Sequence, residues 1–200
     1  MLIDKSQIEI DAGALALKSK AGDLKSFEDL VNMHRQFAFK VAFKILFNEN
    51  DAREAAHECF IKIWKNLKNY KTEMKFTTWM YKIVVNICYD KLKTEKRKKS
   101  IMQQIPEDES NFILDRSCGI EEYFSNNEIA GLIKKYATTL PEKQRMVFAL
   151  RDLEGLSVNE VSQILKMSLG SVKTNPLFAR RAIAAKIRKL ENFEVLKNEL

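Results

Sequence analysis

The stretch SVNEVSQILKMSLGSVKTNPLFARR, residues 157–181, decides how this chain is built. Ser157 and Glu160 have the spacing of a capping box, in which two side chains satisfy backbone N–H groups at the start of a helix. The short break KMSLG, with Gly170 in a tight turn, leads into a second amphipathic segment. Two helices joined in this way predict a helix-turn-helix.

The second helix of this stretch separates apolar from polar side chains. Its apolar side holds Val172, Ala179, Ile183, Ile187 and Leu190. The opposite side presents Ser171, Thr174, Asn175, Phe178 and Arg181, flanked by Lys173 and Arg180. Such side chains reach base edges and phosphates in a major groove. An amphipathic helix with a solvated polar face explains the same pattern, so both interpretations stay open.

Pro176 interrupts this second helix on the side that the apolar spacing predicts to be buried. In one account the helix begins at Ser168 or Ser171. The proline then kinks it, because proline has no backbone N–H to donate to the Val172 carbonyl. In the other account Asn175 caps a helix that starts at the proline. We favour the kinked helix, because Ser171 already offers a start and the apolar period continues through Val172.

The composition of the 200 residues points to one fold class. Hydrophobic residues make up 46% and charged residues 30%, a balance typical of globular proteins. Six glycines and three prolines are too few for the frequent turns of a sandwich or barrel. We therefore expect an all-α protein.

Cysteine usage and hydropathy indicate the cytoplasm. Cys59, Cys88 and Cys118 lie far apart and form no CxxC pair, so neither a disulfide framework nor a zinc ribbon is indicated. The first residues lack a basic segment followed by an apolar one, and no run reaches the ~20 apolar residues of a membrane span. We expect a soluble cytoplasmic protein with no membrane insertion.

Helical spacing and charge divide the chain into two small helical domains. Apolar residues recur at helical spacing through the first ninety positions, with a turn before a helix that Asn50 or Asp51 caps. Between Pro106 and Glu128 the charged residues are acidic apart from a single arginine, and the apolar residues show no sustained helical period. The predicted boundaries are 1–97 for the first domain, 98–126 for an acidic linker and 127–200 for the helix-turn-helix domain.

The net charge of +7 favours a polyanionic partner such as nucleic acid. Between residues 75 and 99, aromatic side chains alternate with lysines and arginines. Aromatics among cations suit single-stranded or melted nucleic acid, because bases stack on the rings while cations follow the backbone. A place in the core explains most of these aromatics equally well, Trp79 among them.

No enzyme motif is present in the sequence. A glycine-rich phosphate loop, a GxSxG turn and an HExxH helix are all missing. His34, His57 and Cys59 are the candidate metal ligands, but positions 57 and 59 do not share a helix face. We expect no catalytic residue, no metal and no cofactor.

Three segments together resemble the extracytoplasmic-function (ECF) class of RNA polymerase sigma factors. DAREAAHECFIKIWKNL, residues 51–67, is similar to the family's polymerase-docking helix. KFTTWMYKIVVNICYDKLKTEKRK, residues 75–98, is similar to its promoter-melting segment. LPEKQRMVFALRDLEGLSVNEVSQIL, residues 140–165, is similar to its second domain. Their order and spacing make the resemblance specific over nearly the whole chain.

The resemblance implies a sigma factor that binds core RNA polymerase and recognises and melts promoter DNA. Docking on the clamp of the large polymerase subunit would involve Asp51, Glu54, Glu58, Phe60 and Trp64. Capture of the opened minus-ten strand would involve Lys75, Phe76, Thr77, Thr78, Asn86 and Lys91. Binding of the minus-thirty-five duplex would involve Arg145, Arg151, Ser171, Lys173, Thr174, Asn175, Phe178 and Arg180.

The resemblance also implies a monomer when free, and it allows an anti-sigma factor as a further partner that no residue here demands. The acidic linker would thread toward the polymerase cleft, or else be a solvated tether. Two other functions stay open. One is a dimeric helix-turn-helix regulator, and the other is a polymerase-binding regulator without initiation activity.

Overall fold

The computed structural model describes residues 5–102 and 128–198, which form eight α-helices and no strand. The helices are α1 (Lys5–Lys20), α2 (Leu24–Leu46), α3 (Glu49–Asn66), α4 (Phe76–Met102), α5 (Glu128–Ala137), α6 (Glu142–Phe148), α7 (Val158–Leu165) and α8 (Leu169–Asn198). A 3₁₀ turn, Leu67–Asn69, follows α3, and a π-helical turn, Ala149–Leu153, follows α6. The all-α prediction is confirmed.

Helices α1 to α4 form the first domain, in which α2 is the central element. Asp23 caps α2 by accepting hydrogen bonds from the N–H groups of Lys25 and Ser26. The buried face of α2 packs against α1, α3 and α4. Asn48 caps α3 by accepting from the Asp51 N–H at 3.0 Å, so the cap lies earlier than the predicted Asn50 or Asp51.

Helices α5 to α8 form the second domain, and its helix-turn-helix follows the predicted pattern with one correction. Ser157 and Glu160 make both bonds of the capping box at the start of α7. Lys166 ends α7 as its C-cap, and its backbone at φ 52° makes it the residue with left-handed conformation in the turn. Gly170 lies inside the first turn of α8, so its predicted place in the tight turn was wrong.

Helix α8 begins at Leu169 and continues through Pro176. Pro176 is buried, as the apolar spacing predicts, and Val172, Ala179 and Ile183 are buried on the same side. The account in which a new helix starts at the proline is therefore wrong. Ser171 lies in the first turn of α8, and its backbone N–H donates a hydrogen bond to the Ser168 hydroxyl oxygen at 3.2 Å.

The two domains pack against each other through apolar side chains. Met146, Val147 and Leu150 of the second domain belong to the same buried cluster as Leu30 and Ile45 of the first. Residues 103–127, which hold most of the predicted acidic linker and Cys118, lie outside the described residues. The linker boundaries therefore stay predictions.

Replacing Pro176 with leucine should raise the melting temperature by about 6–12 °C. A proline in a helix interior costs about 3 kcal/mol, and a chain of this size gains roughly 2–4 °C per kcal/mol. Thermal unfolding followed by circular dichroism measures the change. Pro141→Ala is the matched control, because Pro141 precedes α6 as its N-cap and removes no helical hydrogen bond. An unchanged or lower melting temperature for Pro176→Leu would contradict the expectation.

Candidate partner and nucleic-acid interfaces

The acidic residues predicted to dock on polymerase lie on the flank of α3 that faces α4. Lys91 Nζ lies 2.7 Å from a Glu54 carboxylate oxygen and 3.7 Å from one of Asp51. This bond lowers the pKa of Glu54. Burial opposes the charge on Lys91, but the two carboxylates outweigh it and raise the pKa of that ammonium. Glu58 pairs with Lys62 at 2.8 Å on the same helix.

The aromatic members of the same set lie on the other flank of α3, against α2. Phe60 is 8% exposed and is mainly a core residue, whereas Trp64 is 42% exposed with its ring 4.7 Å from that of Phe27. An apolar groove of about 380 Å³ follows this seam, lined by Leu24, Phe27, Val31, His57, Phe60, Ile61 and Trp64. Sequence reasoning missed the contribution of α2, because periodicity does not tell which helix lies alongside another.

The residues predicted to capture the opened strand differ in how far they are exposed to solvent. Lys75 and Asn86 are exposed, and Thr77 and Thr78 are half-buried. Phe76 is fully buried between the rings of His34 and Tyr70, a placement that suits core packing rather than stacking on a base.

Helical spacing places Lys91 on the opposite side of α4 from a stripe of basic and other polar residues. Lys75, Lys82, Asn86, Tyr89 and Lys93 recur at intervals of three to seven and share one stripe, whereas Lys91 lies on the side facing α3. We call these five residues the α4 stripe. Lys82, Tyr89 and Lys93 were not among the predicted contacts, although the mixture of cations and aromatics had drawn attention to them.

Arg145 was predicted to hold duplex DNA, but the structure places it between the two domains. It is 6% exposed, and its Nε donates to the Ile45 carbonyl at 2.6 Å. Its Nη2 donates to the Leu46 carbonyl, and the guanidinium lies 5.3 Å from the centre of the Phe47 ring. Burial lowers the pKa of Arg145 to about 10, which leaves the group charged at neutral pH. In this arrangement Arg145 has no access to DNA.

Two other arginines predicted to contact duplex DNA form hydrogen bonds at the π-helical turn after α6. Arg151 donates to the Leu156 carbonyl, and Arg180 pairs with Asp152. The hydrogen bond to Asp152 raises the pKa of Arg180. Arg180 remains 60% exposed at its side chain, so it can still meet a phosphate.

The outward face of α8 carries the remaining predicted contacts with duplex DNA. Lys173, Thr174 and Phe178 are exposed, whereas Ser171 and Asn175 are half-buried. The Asn175 amide donates to the Ser171 carbonyl at 2.7 Å, and the Thr174 hydroxyl donates to that of Gly170 at 3.1 Å. The predicted set omitted Leu177, which is 52% exposed beside Phe178 at 54%.

Metal-binding clusters and membrane-spanning helices are absent from the described ranges. No group of three or more histidine, cysteine, aspartate or glutamate side chains there is arranged to hold a metal ion. Cys59 is buried, and burial raises the pKa of its thiol to about 12. No helix in residues 5–102 or 128–198 is long and apolar enough to cross a bilayer.

Comparison with known families gives two matches in series. Sigma-70 region 2 matches residues 30–98 and Sigma-70 region 4 matches residues 131–183, together more than half of the chain. The ECF RNA polymerase sigma factor SigW of Bacillus subtilis is 28% identical, over 86% of this chain and 94% of its own. The ECF sigma-E factor of Escherichia coli K12 is also 28% identical, over 88% and 94%.

Solved structures show the same fold. CnrH, in complex with the cytosolic domain of CnrY, aligns with a TM-score of 0.60 at 20% identity, over 90% of this chain and 98% of its own. The sigma factor RpoE of Bartonella quintana, in complex with the anti-sigma factor NepR, has the same TM-score at 16% identity, over 82% and 98%.

The two phenylalanines predicted to contact DNA should respond oppositely to truncation. Phe76→Ala should destabilise the protein by about 3–5 kcal/mol, because it opens a cavity in the core. Phe178→Ala should change stability by less than about 0.5 kcal/mol, because the ring is exposed. Urea unfolding of both variants measures the difference. Equal losses of stability would contradict the placement of Phe76 or of Phe178.

Proposed function

We propose a role for each interface from one premise: the chain belongs to the sigma-70 family, as an RNA polymerase sigma factor of the ECF class. Such a factor binds core RNA polymerase and directs initiation at promoters that it recognises. The observation that carries this function is the presence of regions 2 and 4 in series, over residues 30–98 and 131–183. The polymerase supplies the chemistry in the cytoplasm, and this chain supplies DNA binding and positioning.

The polymerase-docking surface is the outer side of α3. Glu54 and Glu58 are solvent-accessible carboxylates, with side chains 71% and 45% exposed, and Ile61 and Trp64 add apolar area beside them. A charged rim around a partly apolar centre is the usual composition of a protein interface. Phe60 supports this surface from below.

The α4 stripe binds the opened minus-ten strand. Lys82 and Lys93 follow one side of a long helix, with Asn86 and Tyr89 between them, and Lys75 directly precedes that helix. Lysines along a groove follow a phosphate backbone, and an aromatic ring gives a base a surface to stack on. Thr77 and Thr78 are half-buried at the start of the same helix, where they complete the surface.

The outward face of α8 binds the minus-thirty-five duplex. Thr174, Leu177, Phe178 and Arg181 recur at intervals of one helical turn and are all exposed. Arginine reads guanine edges, and apolar side chains contact the methyl group of thymine in the major groove. We therefore expect the element to contain thymines opposite Leu177 and Phe178.

Run-off transcription from a library of random promoters tests the function. Purified bacterial core polymerase should produce start-site-specific transcripts only when this protein is added. Glu58→Lys should reduce those transcripts at least tenfold, because it reverses an exposed charge on the docking surface. Glu28→Lys makes the same charge change on α2 and should leave transcription unchanged.

The other outcomes of this experiment separate the competing functions. Binding to core polymerase without any transcript would indicate a regulator that docks but does not initiate. A dimer that protects a palindrome without polymerase would indicate a helix-turn-helix regulator. Either outcome would contradict the proposed function.

The thymine contact is tested on the element that the library selects. Replacing each thymine with deoxyuridine removes only the methyl group, and it should weaken binding by the wild-type protein by about 0.8 kcal/mol at the contacted position. Leu177→Ala and Phe178→Ala should lose this difference. Electrophoretic mobility shifts with short duplexes measure the affinities. A methyl effect that persists in both variants would contradict the assignment.

A further inference from the structure

The loop that leads into α4 begins at a tyrosine fixed in the core. Residues 71–75, which we call the 71–75 loop, join the 3₁₀ turn to α4, and all their side chains except that of Met74 are exposed. Tyr70 directly precedes the loop and is only 3% exposed. Its ring packs against those of Phe76 and Trp79, with centroids 5.8 and 5.3 Å away.

Tyr70 also holds the two ends of this loop together. Its hydroxyl donates to the Met74 carbonyl at 3.2 Å, four residues along the chain. Within that span, the Met74 N–H donates to the Lys71 carbonyl at 3.2 Å. Directly after it, the Lys75 carbonyl accepts the Trp79 N–H at 3.1 Å in the first turn of α4. These bonds close the loop on Tyr70 and fix the backbone of Lys75.

Helix α1 supports the tyrosine from outside the loop. Tyr70 ends the 3₁₀ turn in an extended conformation, and the carbonyl of a buried residue requires a hydrogen-bond partner. Lys20, the last residue of α1, donates to this carbonyl from Nζ at 3.1 Å. Gly13 brings the backbone of the same helix close, since a Cβ there would lie 3.8 Å from the Tyr70 hydroxyl oxygen.

Helix α1 is itself held by packing. Ala12, Ala16 and Ser19 recur at intervals of four and three and are all buried. The helix contacts α2, α4 and the 3₁₀ turn. It lies before residues 30–98, which match region 2, so that match assigns it no role. A packed helix outside the matched residues therefore supports the loop.

The 71–75 loop lies beside the residues proposed to hold the opened strand. Lys75 ends the loop, Thr77 and Thr78 follow at the start of α4, and Met74 Sδ lies 3.7 Å from Lys82 Nζ of the α4 stripe. Ordering a loose loop on binding costs free energy, and a loop already held in its bound conformation avoids that cost. A residue that holds this loop can therefore strengthen strand binding without touching the strand.

We propose that Lys20 and Tyr70 are positioning residues for capture of the opened minus-ten strand, because through them α1 holds the 71–75 loop in place. The effect on DNA rests on the proposed function of the α4 stripe, whereas the support of the loop does not. The Tyr70 side chain is buried and the Lys20 ammonium bonds to the Tyr70 carbonyl, so both act on the strand through the loop.

Three substitutions in the full chain test this support. Lys20→Met keeps a long side chain but removes the donor, and Tyr70→Phe keeps the ring but removes the hydroxyl bond to Met74. Lys20→Arg retains a charged donor and should restore wild-type behaviour. Lys18→Met is the matched control, because it removes the same charge from an exposed position two residues earlier on α1.

Hydrogen exchange followed by mass spectrometry reports on the loop in the free protein. We expect the amides of residues 71–75 to exchange about fivefold faster in Lys20→Met and Tyr70→Phe than in wild type, because each variant loses one hydrogen bond. Lys20→Arg and Lys18→Met should exchange like wild type. Circular dichroism confirms that each variant is folded at the temperature of the measurement.

The same proteins are then saturated with core polymerase and titrated with a single-stranded oligonucleotide carrying the selected minus-ten element. Fluorescence anisotropy measures the affinity. Lys20→Met should bind the strand about fivefold more weakly than Lys18→Met, and Tyr70→Phe about fivefold more weakly than wild type, the effect of one hydrogen bond. Affinity for core polymerase should be equal in all the proteins, because no substitution touches the docking surface on α3.

Three results would overturn the proposal. Unchanged exchange of residues 71–75 in Lys20→Met and Tyr70→Phe would show that these side chains do not hold the loop. Faster exchange with the strand affinity of the controls would show that the loop does not position the strand. An equal loss of affinity for core polymerase would show a general defect. Failure of the proposed function is recognised separately, because the wild-type protein then gives no run-off transcripts, whatever the exchange of the loop.

Discussion

The interaction on which the rest of this structure depends is the burial of Arg145 against the end of α2. A guanidinium loses much of its hydration on burial, and only well-placed hydrogen bonds offset that loss. The carbonyls of Ile45 and Leu46 supply them, since a helix C-terminus leaves such acceptors free. The Phe47 ring covers the guanidinium on one side. One arginine thereby fixes the end of a helix in one domain and the position of the other domain.

The domain contact uses the same chemistry that binds nucleic acid. A chain with a net charge of +7 carries lysines that attract phosphates, and Lys44 and Lys96 meet Glu154 and Glu142 instead. The exposed pair at Lys96 contributes little stability and is screened by salt, whereas the pair at Lys44 is largely removed from solvent. The contact between the domains therefore depends mainly on the buried pair.

Local signals predicted the features that depend on neighbouring residues. The capping box of Ser157 and Glu160 and the buried side of Pro176 follow from spacings of three and four, which a helix imposes regardless of its partners. The roles assigned to Arg145, Phe76 and Lys91 depend on partners far along the chain. Arg145 bonds to residues about 100 positions away, and Lys91 bonds to Glu54 on another helix. Periodicity indicates which face of a helix is covered, but it does not indicate what covers it.

The outward face of α8 shows how a sigma factor can tolerate weak direct reading of duplex DNA. The side chains of Asn175 and Thr174 donate hydrogen bonds to backbone carbonyls of the same helix, which leaves fewer polar groups for base edges. In the proposed function Leu177 and Phe178 would contact thymine methyl groups, and such contacts discriminate bases with less directional precision than a bidentate pair. Specificity is a difference between binding free energies, and in the proposed function the first domain contributes to it through the opened strand. Two modest recognition surfaces, one on each domain, can therefore select one promoter, provided that both engage it in a single complex.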